Sequence, residues 1–320
     1  MNSISVEFVQ DIINDFDSDI RSHWDTVSLK LKDLKLKTVD YKELCYLDCL
    51  LNFGASILIS TPQQLTQLMN RFDHIISNKE MVLKSRSGFR KAIIDCMGYT
   101  TLRSVFYPKI FQKLGIKSCV YCNSSLTVVV EKEYVSKNSS KLQAKFQLDH
   151  FIPKKEYPCL SISIFNLYPV CSNCNISKGV KKVFFDLYKD GRVHISPFKF
   201  KLGNGSCAKF LLSNNLDDIS IEFEEPKARR GCSKFSDIFL IKPIYLTQRD
   251  VVAELILKAQ AYPNSYRSIL LKTLPSIFHS EAIITRLVCG NYVEEWEIHK
   301  RPLSKLTLDI AHQIGLIKNT

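Results

Sequence analysis

The sequence has no long apolar stretch. Its apolar runs are too short, or too often interrupted by charged residues, to cross a hydrocarbon layer of about 30 Å, so we expect no membrane-spanning segment. The first residues, Met-Asn-Ser-Ile-Ser-Val-Glu, have neither the basic start nor the apolar centre of a secretory signal, which predicts a cytoplasmic protein. A P-loop and a dinucleotide-binding fingerprint are also missing, so an ATP-dependent step would need another chain.

Glycine and proline are scarce, at 11 residues each in 320, which excludes a collagen-like or low-complexity chain. The apolar content of 45% and the charged content of 24% are those of a globular protein, and the length allows two or three modest cores. The 11 cysteines are an odd number and are scattered along the chain. This usage favours a reducing compartment in which a few cysteines bind metal and the others are buried thiols.

Acidic residues are scarce in the middle of the chain. Residues 87–202 hold 19 Lys and Arg against 7 Asp and Glu, a net charge of +12, which equals the net charge of the whole chain. The flanking parts nearly cancel, with 10 against 12 (−2) in residues 1–86 and 15 against 13 (+2) in residues 203–320. A run of charge is usually only a solvated face, but charge concentrated in one segment favours a surface that binds phosphates.

Two C-x-x-C pairs lie inside this basic segment, Cys119 with Cys122 and Cys171 with Cys174. Four thiolates complete a tetrahedral Zn²⁺ site and leave no open position, so such a site is structural. One pair alone could be a redox pair or two buried thiols, whereas two pairs favour zinc. The loop between the pairs is longer than in a short zinc finger, and zinc would fix its two ends together.

Polar residues with hydrolytic chemistry lie between and after the two pairs. His150 can act as a general base because an imidazole titrates near neutral pH. Asp149 points to the other side of its strand and, with Asn175, offers oxygen ligands that suit Mg²⁺ or Mn²⁺. Each residue also has an ordinary interpretation when taken alone: His150 as a structural histidine and Asn175 as a helix N-cap.

The order and spacing of these residues resemble the HNH endonucleases of the ββα-metal class, in their zinc-stapled, endonuclease VII-like form. The resemblance covers about a third of the chain and is carried by Gln147-Leu-Asp149-His150-Phe-Ile-Pro153-Lys154, by Phe165-Asn166-Leu167 and by Cys171-x-x-Cys174-Asn175-x-x-Lys178. The third signature position is Asn175. Many members carry histidine there, whereas the endonuclease VII type carries asparagine, as this chain does.

The resemblance implies metal-dependent hydrolysis of phosphodiester bonds, with double-stranded DNA favoured over RNA as the substrate and 5′-phosphate and 3′-hydroxyl ends as products. Asn166 would fix the loop and orient the His150 ring. The residues expected to contact nucleic acid are Lys154, Lys155, Lys178, Lys181 and Lys182. Cleavage of RNA such as tRNA, and a zinc-stabilised nucleic-acid-binding module without catalysis, stay open as alternatives.

The helical regions on either side suggest a biological role for such a nuclease. By analogy with Septu-type systems, the helical flanks predict the effector of a bacterial anti-phage defence system that works with an ATPase or a sensor protein.

The expected fold is mainly α-helical, with a small zinc-stapled ββα module at residues 87–200 between helical regions at 1–86 and 201–320. Within the module we predict a hairpin of residues 126–130 and 144–148 with a turn at 136–140, followed by a helix from about Cys174 to Tyr188 that carries Lys178, Lys181 and Lys182. The other predicted helices are at 6–20, 41–59, 101–114, 251–261 and 301–310. One further helix starts at Thr61, and another ends at about Met97. A strand is predicted at 218–224.

Overall fold

The computed structural model describes residues 1–134, 139–191, 196–227 and 233–317. Across these residues helices dominate, and the strands form four separate two-stranded sheets. The prediction of a mainly helical chain is confirmed at this level. In the part of the chain that the structure describes, no helix is long and apolar enough to cross a membrane.

The first 113 residues are helical apart from a two-residue strand, β1. Apolar residues spaced three and four apart turn one face of each helix inward, as Val6, Val9 and Ile13 do in α1. The elements are β1 (Ile4–Ser5), α1 (Val6–Asn14), α2 (Asp17–Lys37), α3 (Tyr41–Phe53), α4 (Ser56–Ile59), α5 (Pro62–Asp73), α6 (Asn78–Met81), α7 (Ser87–Met97), α8 (Tyr99–Val105) and α9 (Tyr107–Lys113).

At two places, residues next to a helix end decide where the helix starts or stops. The predicted start at Thr61 is confirmed: the Thr61 hydroxyl accepts from the backbone of Gln64, and the Gln64 side chain accepts from the backbone of Thr61. The single helix predicted from Tyr41 to Ile59 is interrupted at Gly54, whose φ of 64° is a conformation that side chains disfavour.

The middle of the chain contains a strand–strand–helix unit. The unit consists of β4 (Gln147–His150), β5 (Leu167–Val170) and α10 (Ser172–Lys178). The other elements of this part of the chain are β2 (Val129–Tyr134) and β3 (Ser139–Ala144) before it and β6 (Tyr188–Lys189) after it. β4 and β5 are antiparallel, with Gln147 opposite Val170 and His150 opposite Leu167, and α10 follows β5 directly.

The predicted hairpin of residues 126–130 with 144–148 was only partly right: Ala144 pairs with Val129, but Gln147 and Leu148 belong to another strand, β4. β2 pairs with β3 in a hairpin of its own, and β4 pairs with β5. The physical reason is burial: all four residues of β5 are buried, so this strand needs a partner in the interior, whereas residues 129–133 and 141–144 of β2 and β3 are exposed or half-buried. Residues 136–138 of the predicted turn at 136–140 lie outside the described residues.

The predicted helix from Cys174 to Tyr188 was also wrong in length. α10 ends at Lys178, and Gly179 after it has a φ of 49°. Beyond it, Val183, Phe185 and Leu187 are buried and alternate with other residues, which is the period of an extended chain. β6 then pairs in parallel with β1. Lys181 and Lys182 therefore follow the helix and do not lie on it.

The last third of the chain packs helices around the fourth of the two-stranded sheets. Its elements are β7 (Lys199–Leu202), α11 (Ser206–Ser213), β8 (Ile221–Glu224), α12 (Phe235–Phe239), α13 (Ile241–Leu246), α14 (Arg249–Ala261), α15 (Asn264–Thr273), α16 (Glu281–Cys289) and α17 (Ser304–Gln313). β7 and β8 are antiparallel. α17 is buried against β7, and the Asp309 carboxylate accepts from the backbone of Phe200 at 2.8 Å.

The buried apolar residues of all three regions form one connected core. The C-terminal region holds the segment of the first cysteine pair: the Tyr245 hydroxyl donates to the Cys122 carbonyl at 2.7 Å, and the Leu303 backbone donates to the Asn123 carbonyl at 2.6 Å. From the N-terminal side, the Ile57 carbonyl accepts from the Ser163 hydroxyl at 2.6 Å. The division into domains at 1–86, 87–200 and 201–320 stays a prediction.

Candidate functional site: a four-cysteine cluster beside an Asp–His strand

The two cysteine pairs meet in space. The four sulfur atoms of Cys119, Cys122, Cys171 and Cys174 lie within 4.8 Å of one another, and those of Cys122 and Cys171 are 4.0 Å apart. All four are free thiols, three of them buried and Cys171 half-buried. Ligands about 2.3 Å from a tetrahedral Zn²⁺ ion are about 3.8 Å apart. This cluster can therefore bind a metal such as zinc, as the spacing of the pairs predicts.

The backbone around the cluster explains how the sulfurs come together. Cys119 and Cys122 lie in a turn closed by the bond from the Asn123 backbone to the Cys119 carbonyl, at 2.8 Å. Asn123 has a φ of 53°, and its side chain donates to the Ile298 carbonyl at 2.9 Å. Cys171 directly follows β5, and Cys174 lies in the first turn of α10. The cluster thus joins this turn to the strand and the helix.

The four thiols perturb one another strongly. Hydrogen bonds, the largest from Cys119, hold the pKa of Cys122 far below that of a free thiol, and hydrogen bonds, the largest again with Cys119, raise the pKa of Cys174. Burial raises the pKa of Cys119. Four thiolates this close would repel one another unless a cation between them neutralised their charge, which is the electrostatic situation that a metal relieves.

One side of β4 faces α10. Gln147 and Asp149 are two residues apart and therefore share this side. The buried Asp149 carboxylate accepts from the Tyr121 hydroxyl at 2.7 Å and from the Lys178 ammonium, which lies 3.0 Å from one carboxylate oxygen and 2.9 Å from the other. The side chain of Lys178 is only 3% exposed. Asp149 and Lys178 therefore form a buried ion pair that fixes α10 against the sheet.

This position contradicts the prediction that Lys178 contacts a phosphate backbone. Lys178 follows Cys174 by four residues, so both lie on the same face of α10, and that face is turned inward. Its ammonium also donates to the His150 carbonyl, at 3.3 Å. From there it cannot reach a nucleic acid on the surface.

The predicted oxygen ligands for Mg²⁺ or Mn²⁺ lie on the same side of β4. Asn175 donates from its side-chain amide to the Gln147 side-chain oxygen at 2.5 Å. Carboxylate and amide oxygens are of the kind that these ions prefer. Both oxygens of Asp149 are already bonded to Lys178 or Tyr121, however. The residues as arranged do not fit a divalent cation, which could bind only after Lys178 left Asp149.

The other side of β4 carries His150. Its Nε2 donates to the Ser161 carbonyl at 2.9 Å. A carbonyl can only accept, so the proton is on Nε2, and Nδ1 is left as a proton acceptor. Burial, and then the nearby charges of Lys154, Lys178 and Arg103, lower the pKa of His150 to about 4. The ring is therefore neutral at pH 7, as a general base must be.

Asn166 holds the loop that positions this imidazole. It is fully buried, and its side-chain oxygen accepts from the Ile152 backbone at 2.6 Å. Its amide nitrogen donates to the carbonyls of Ile152, at 3.1 Å, and Leu160, at 2.9 Å. These bonds fix the loop directly after His150 and the residue directly before Ser161, whose carbonyl binds the ring. The side chain thus has the contacts that the predicted positioning role requires.

The remaining predicted lysines are on the surface. Lys154 and Lys155 are exposed in the loop after β4, and the Lys154 ammonium lies 5.4 Å from the centre of the Tyr99 ring. Lys181 and Lys182 are exposed after α10, and Lys181 donates to the Ser177 carbonyl at 3.1 Å. Their contact with nucleic acid stays a prediction.

Three residues of the site were missed by reasoning from the sequence. Tyr121 lies between the cysteines of the first pair, a position that has to be close to the cluster, and this spacing could have revealed it. Tyr99, whose ring centre is 4.9 Å from that of His150, and Ser161 belong to distant parts of the chain. No local pattern marks either of them.

Comparison with known proteins adds no relationship. No protein-family model matches the chain, and no curated protein or solved structure matches it significantly. Its function therefore has to be inferred from the residues of the site.

Proposed function

We propose that this chain is an HNH-type endonuclease that hydrolyses phosphodiester bonds with His150 as the general base. The observation that carries the proposal is the position of His150 at the end of β4, with Nε2 bonded to the Ser161 carbonyl and Nδ1 left as an acceptor. The strand–strand–helix order and the four-cysteine cluster support it, because they accompany this histidine in the family that the sequence resembles.

In the proposed reaction, Nδ1 of His150 takes a proton from a water molecule as the water oxygen bonds to the phosphorus atom. The bond from phosphorus to the 3′ oxygen breaks, and this oxygen leaves with the bonding electron pair and takes up a proton from solvent to give the 3′-hydroxyl. The Ser161 carbonyl fixes the Nε2–H tautomer of the ring, and Asn166 fixes the loop that holds this carbonyl. Nδ1 therefore remains the proton acceptor without a change of rotamer. The charges of the exposed Arg103 and Lys154 help to lower the pKa of His150, and the same charges can offset the charge on a phosphate bound beside it.

Two metals enter the proposal in different ways. Zinc in the four-cysteine cluster would be structural, since four thiolates leave no open position. The resemblance implies a second ion, Mg²⁺ or Mn²⁺, at Asp149 and Asn175. Because the Lys178 ammonium occupies the Asp149 carboxylate, these residues as arranged do not fit the ion, and no step of the proposed reaction is assigned to it.

The basic segment supports nucleic acid as the substrate, and the resemblance favours double-stranded DNA over RNA. An ATPase or sensor partner and a role in anti-phage defence rest on the helical flanks and on analogy with Septu-type systems, and they stay predictions.

A second candidate is a zinc-stabilised nucleic-acid-binding protein without catalysis. The observation that favours it is the buried ion pair of Lys178 with Asp149, which places an ammonium where the family would bind a divalent cation. If this pair never opens, Asp149 contributes to stability and not to chemistry.

The two candidates differ in a plasmid assay. Supercoiled plasmid, and separately total cellular RNA, is incubated with Mg²⁺ or Mn²⁺ and with the wild type, His150→Ala or the control His279→Ala, which changes an exposed histidine. We expect cleavage by the wild type and the control, and none by His150→Ala, which should still bind. Binding without cleavage by the wild type favours the second candidate. Cleavage by His150→Ala would show that another group is the base.

A further inference from the structure

A cavity of about 320 Å³ lies between α8, α9 and the β2–β3 hairpin. Apolar residues that line it are buried or half-buried, Pro108, Leu148 and Phe146. The exposed cations among its lining residues are Arg103, Lys132 and Lys141, and none of the lining residues is acidic. The cavity thus combines apolar surface with a positively charged opening.

The register of the hairpin concentrates this charge. Lys132 on β2 is the cross-strand partner of Lys141 on β3, so their side chains stand next to each other on one face of the hairpin. Glu131 and Glu133 are one residue away along β2 and therefore point to the opposite face. Both lysines line the cavity, and so does Leu142, from the other face of β3.

The cavity adjoins the His150 side of β4. Leu148, which lines it, is two residues before His150 and so points to the same side of the strand. Tyr107, another lining residue, has its ring centre 6.3 Å from that of Tyr99, which contacts the His150 ring. Arg103 belongs both to the cavity and to the charges that act on His150.

We infer that this cavity binds an unpaired nucleotide of a single-stranded nucleic acid, with its base against Phe146, Pro108 and Leu148 and its phosphates at Arg103, Lys132 and Lys141. The volume is that of a small-ligand site. A base can offer its apolar face only when it is unstacked, whereas a duplex offers mainly its phosphates. The inference rests on the proposed function in one respect: it places the nucleotide next to the phosphate that His150 would attack.

The test is a binding measurement with the full-length, zinc-loaded protein and without added Mg²⁺. Fluorescence anisotropy compares a short labelled single strand, its duplex and the same strand with an abasic position, each as DNA and as RNA. The variant is Lys132→Gln with Lys141→Gln. The control is Lys209→Gln with Lys272→Gln, which removes the same charge from exposed residues of α11 and α15. All four lysines are exposed, and equal melting temperatures would confirm that the variants are folded.

We expect the single strand to bind about tenfold more tightly than the duplex and more tightly than the abasic strand. The cavity variant should lose about tenfold in single-strand affinity. The slope of log K against log salt concentration should become less steep by roughly 0.7 for each lost lysine contact. The control should lose much less. Tighter binding of either DNA or RNA supports the inference and identifies the sugar that is preferred.

Three results would overturn the inference: equal affinity for duplex and single strand, equal affinity for the abasic strand, or equal losses in the two double variants. Polyglutamate that competes as well as an unlabelled strand would also overturn it, in favour of an acidic protein segment. Failure of this inference is separable from failure of the proposed function. A protein that binds as expected but never cleaves refutes only the nuclease, and one that cleaves without any single-strand preference refutes only the nucleotide cavity.

Discussion

The two sides of β4 differ in how far their polar groups are already satisfied. On the side of α10, both oxygens of Asp149 are bonded, by Lys178 and Tyr121, and the group is shielded from water. On the other side, His150 has one ring nitrogen bonded to a carbonyl and the other left as an acceptor, in surroundings rich in cations. Neighbouring residues of one short strand thus have opposite environments.

The difference indicates a division of labour within the strand–strand–helix unit. A carboxylate with buried partners holds α10 in place, and an imidazole with a spare nitrogen can exchange a proton. The four-cysteine cluster serves both sides, because its cysteines adjoin β5, lie in α10 and flank Tyr121.

Disrupting the four-cysteine cluster should affect both sides of β4 and have the largest effect. If the cluster holds zinc, Cys174→Ser removes one of its four ligands, so we expect loss of the metal and a free energy of unfolding lower by about 5 kcal/mol or more. Elemental analysis and urea denaturation measure both quantities. Cys207→Ser, which changes a half-buried thiol outside the cluster, is the control. Unchanged metal content and stability in Cys174→Ser would contradict the structural assignment.

The α10 side can be tested through its ion pair. Lys178→Met leaves the Asp149 carboxylate buried without its cation, which should lower the free energy of unfolding by about 3–5 kcal/mol. The double variant Lys178→Met with Asp149→Asn should recover most of this loss, since it removes the uncompensated charge. Urea denaturation of both variants, beside the exposed-lysine control Lys182→Met, measures the loss in the single variant and how much of it the double variant recovers. A Lys178→Met protein as stable as the wild type would mean that the pair opens readily.

The loop that serves the His150 side should show an intermediate effect. Asn166→Ala leaves backbone groups of Ile152 and Leu160 without their partner, at a cost of about 1–3 kcal/mol. If the protein is a nuclease, the cleavage rate should fall with little change in nucleic-acid affinity, because the His150 ring loses its fixed position. Thermal unfolding and single-turnover cleavage test this, with the exposed Asn52→Ala as control. A full cleavage rate in Asn166→Ala would remove its positioning role.

The smallest effect on folding is expected from His150 itself. His150→Ala loses one hydrogen bond and one ring contact, so the free energy of unfolding should fall by only about 1 kcal/mol. Any cleavage activity should disappear. Urea denaturation checks the first expectation, and a loss as large as that of Lys178→Met would mean that both sides of β4 are structural.

Local spacing was enough to predict the cysteine cluster, because a C-x-x-C pair brings its own two sulfurs together and needs only one further meeting in space. The start of α5 at Thr61 was predictable for the same reason, since a capping box is complete within four residues. The opposite orientation of Asp149 and His150 also follows from the period of a strand.

The strand partners and the end of α10 could not be obtained in this way. The predicted hairpin joined residues 144–148 to residues 126–130, and only the full burial of β5 decided that Gln147 and Leu148 would pair with β5 instead. The lysine-rich stretch after α10 contains apolar residues at both helical and extended spacing. Its pairing with β1, more than 180 residues away, selected the extended form.

The sequence by itself determined the two cysteine pairs, the basic middle segment and the residue order on which the resemblance to HNH nucleases rests, since these depend on residue type and local order. Tertiary structure alone decided that Lys178 is buried against Asp149, that Ser161 binds His150, and that the hairpin and α8 enclose a cationic cavity. The physical reason is that burial and charge pairing depend on which distant segments pack together, and packing is a property of the whole chain.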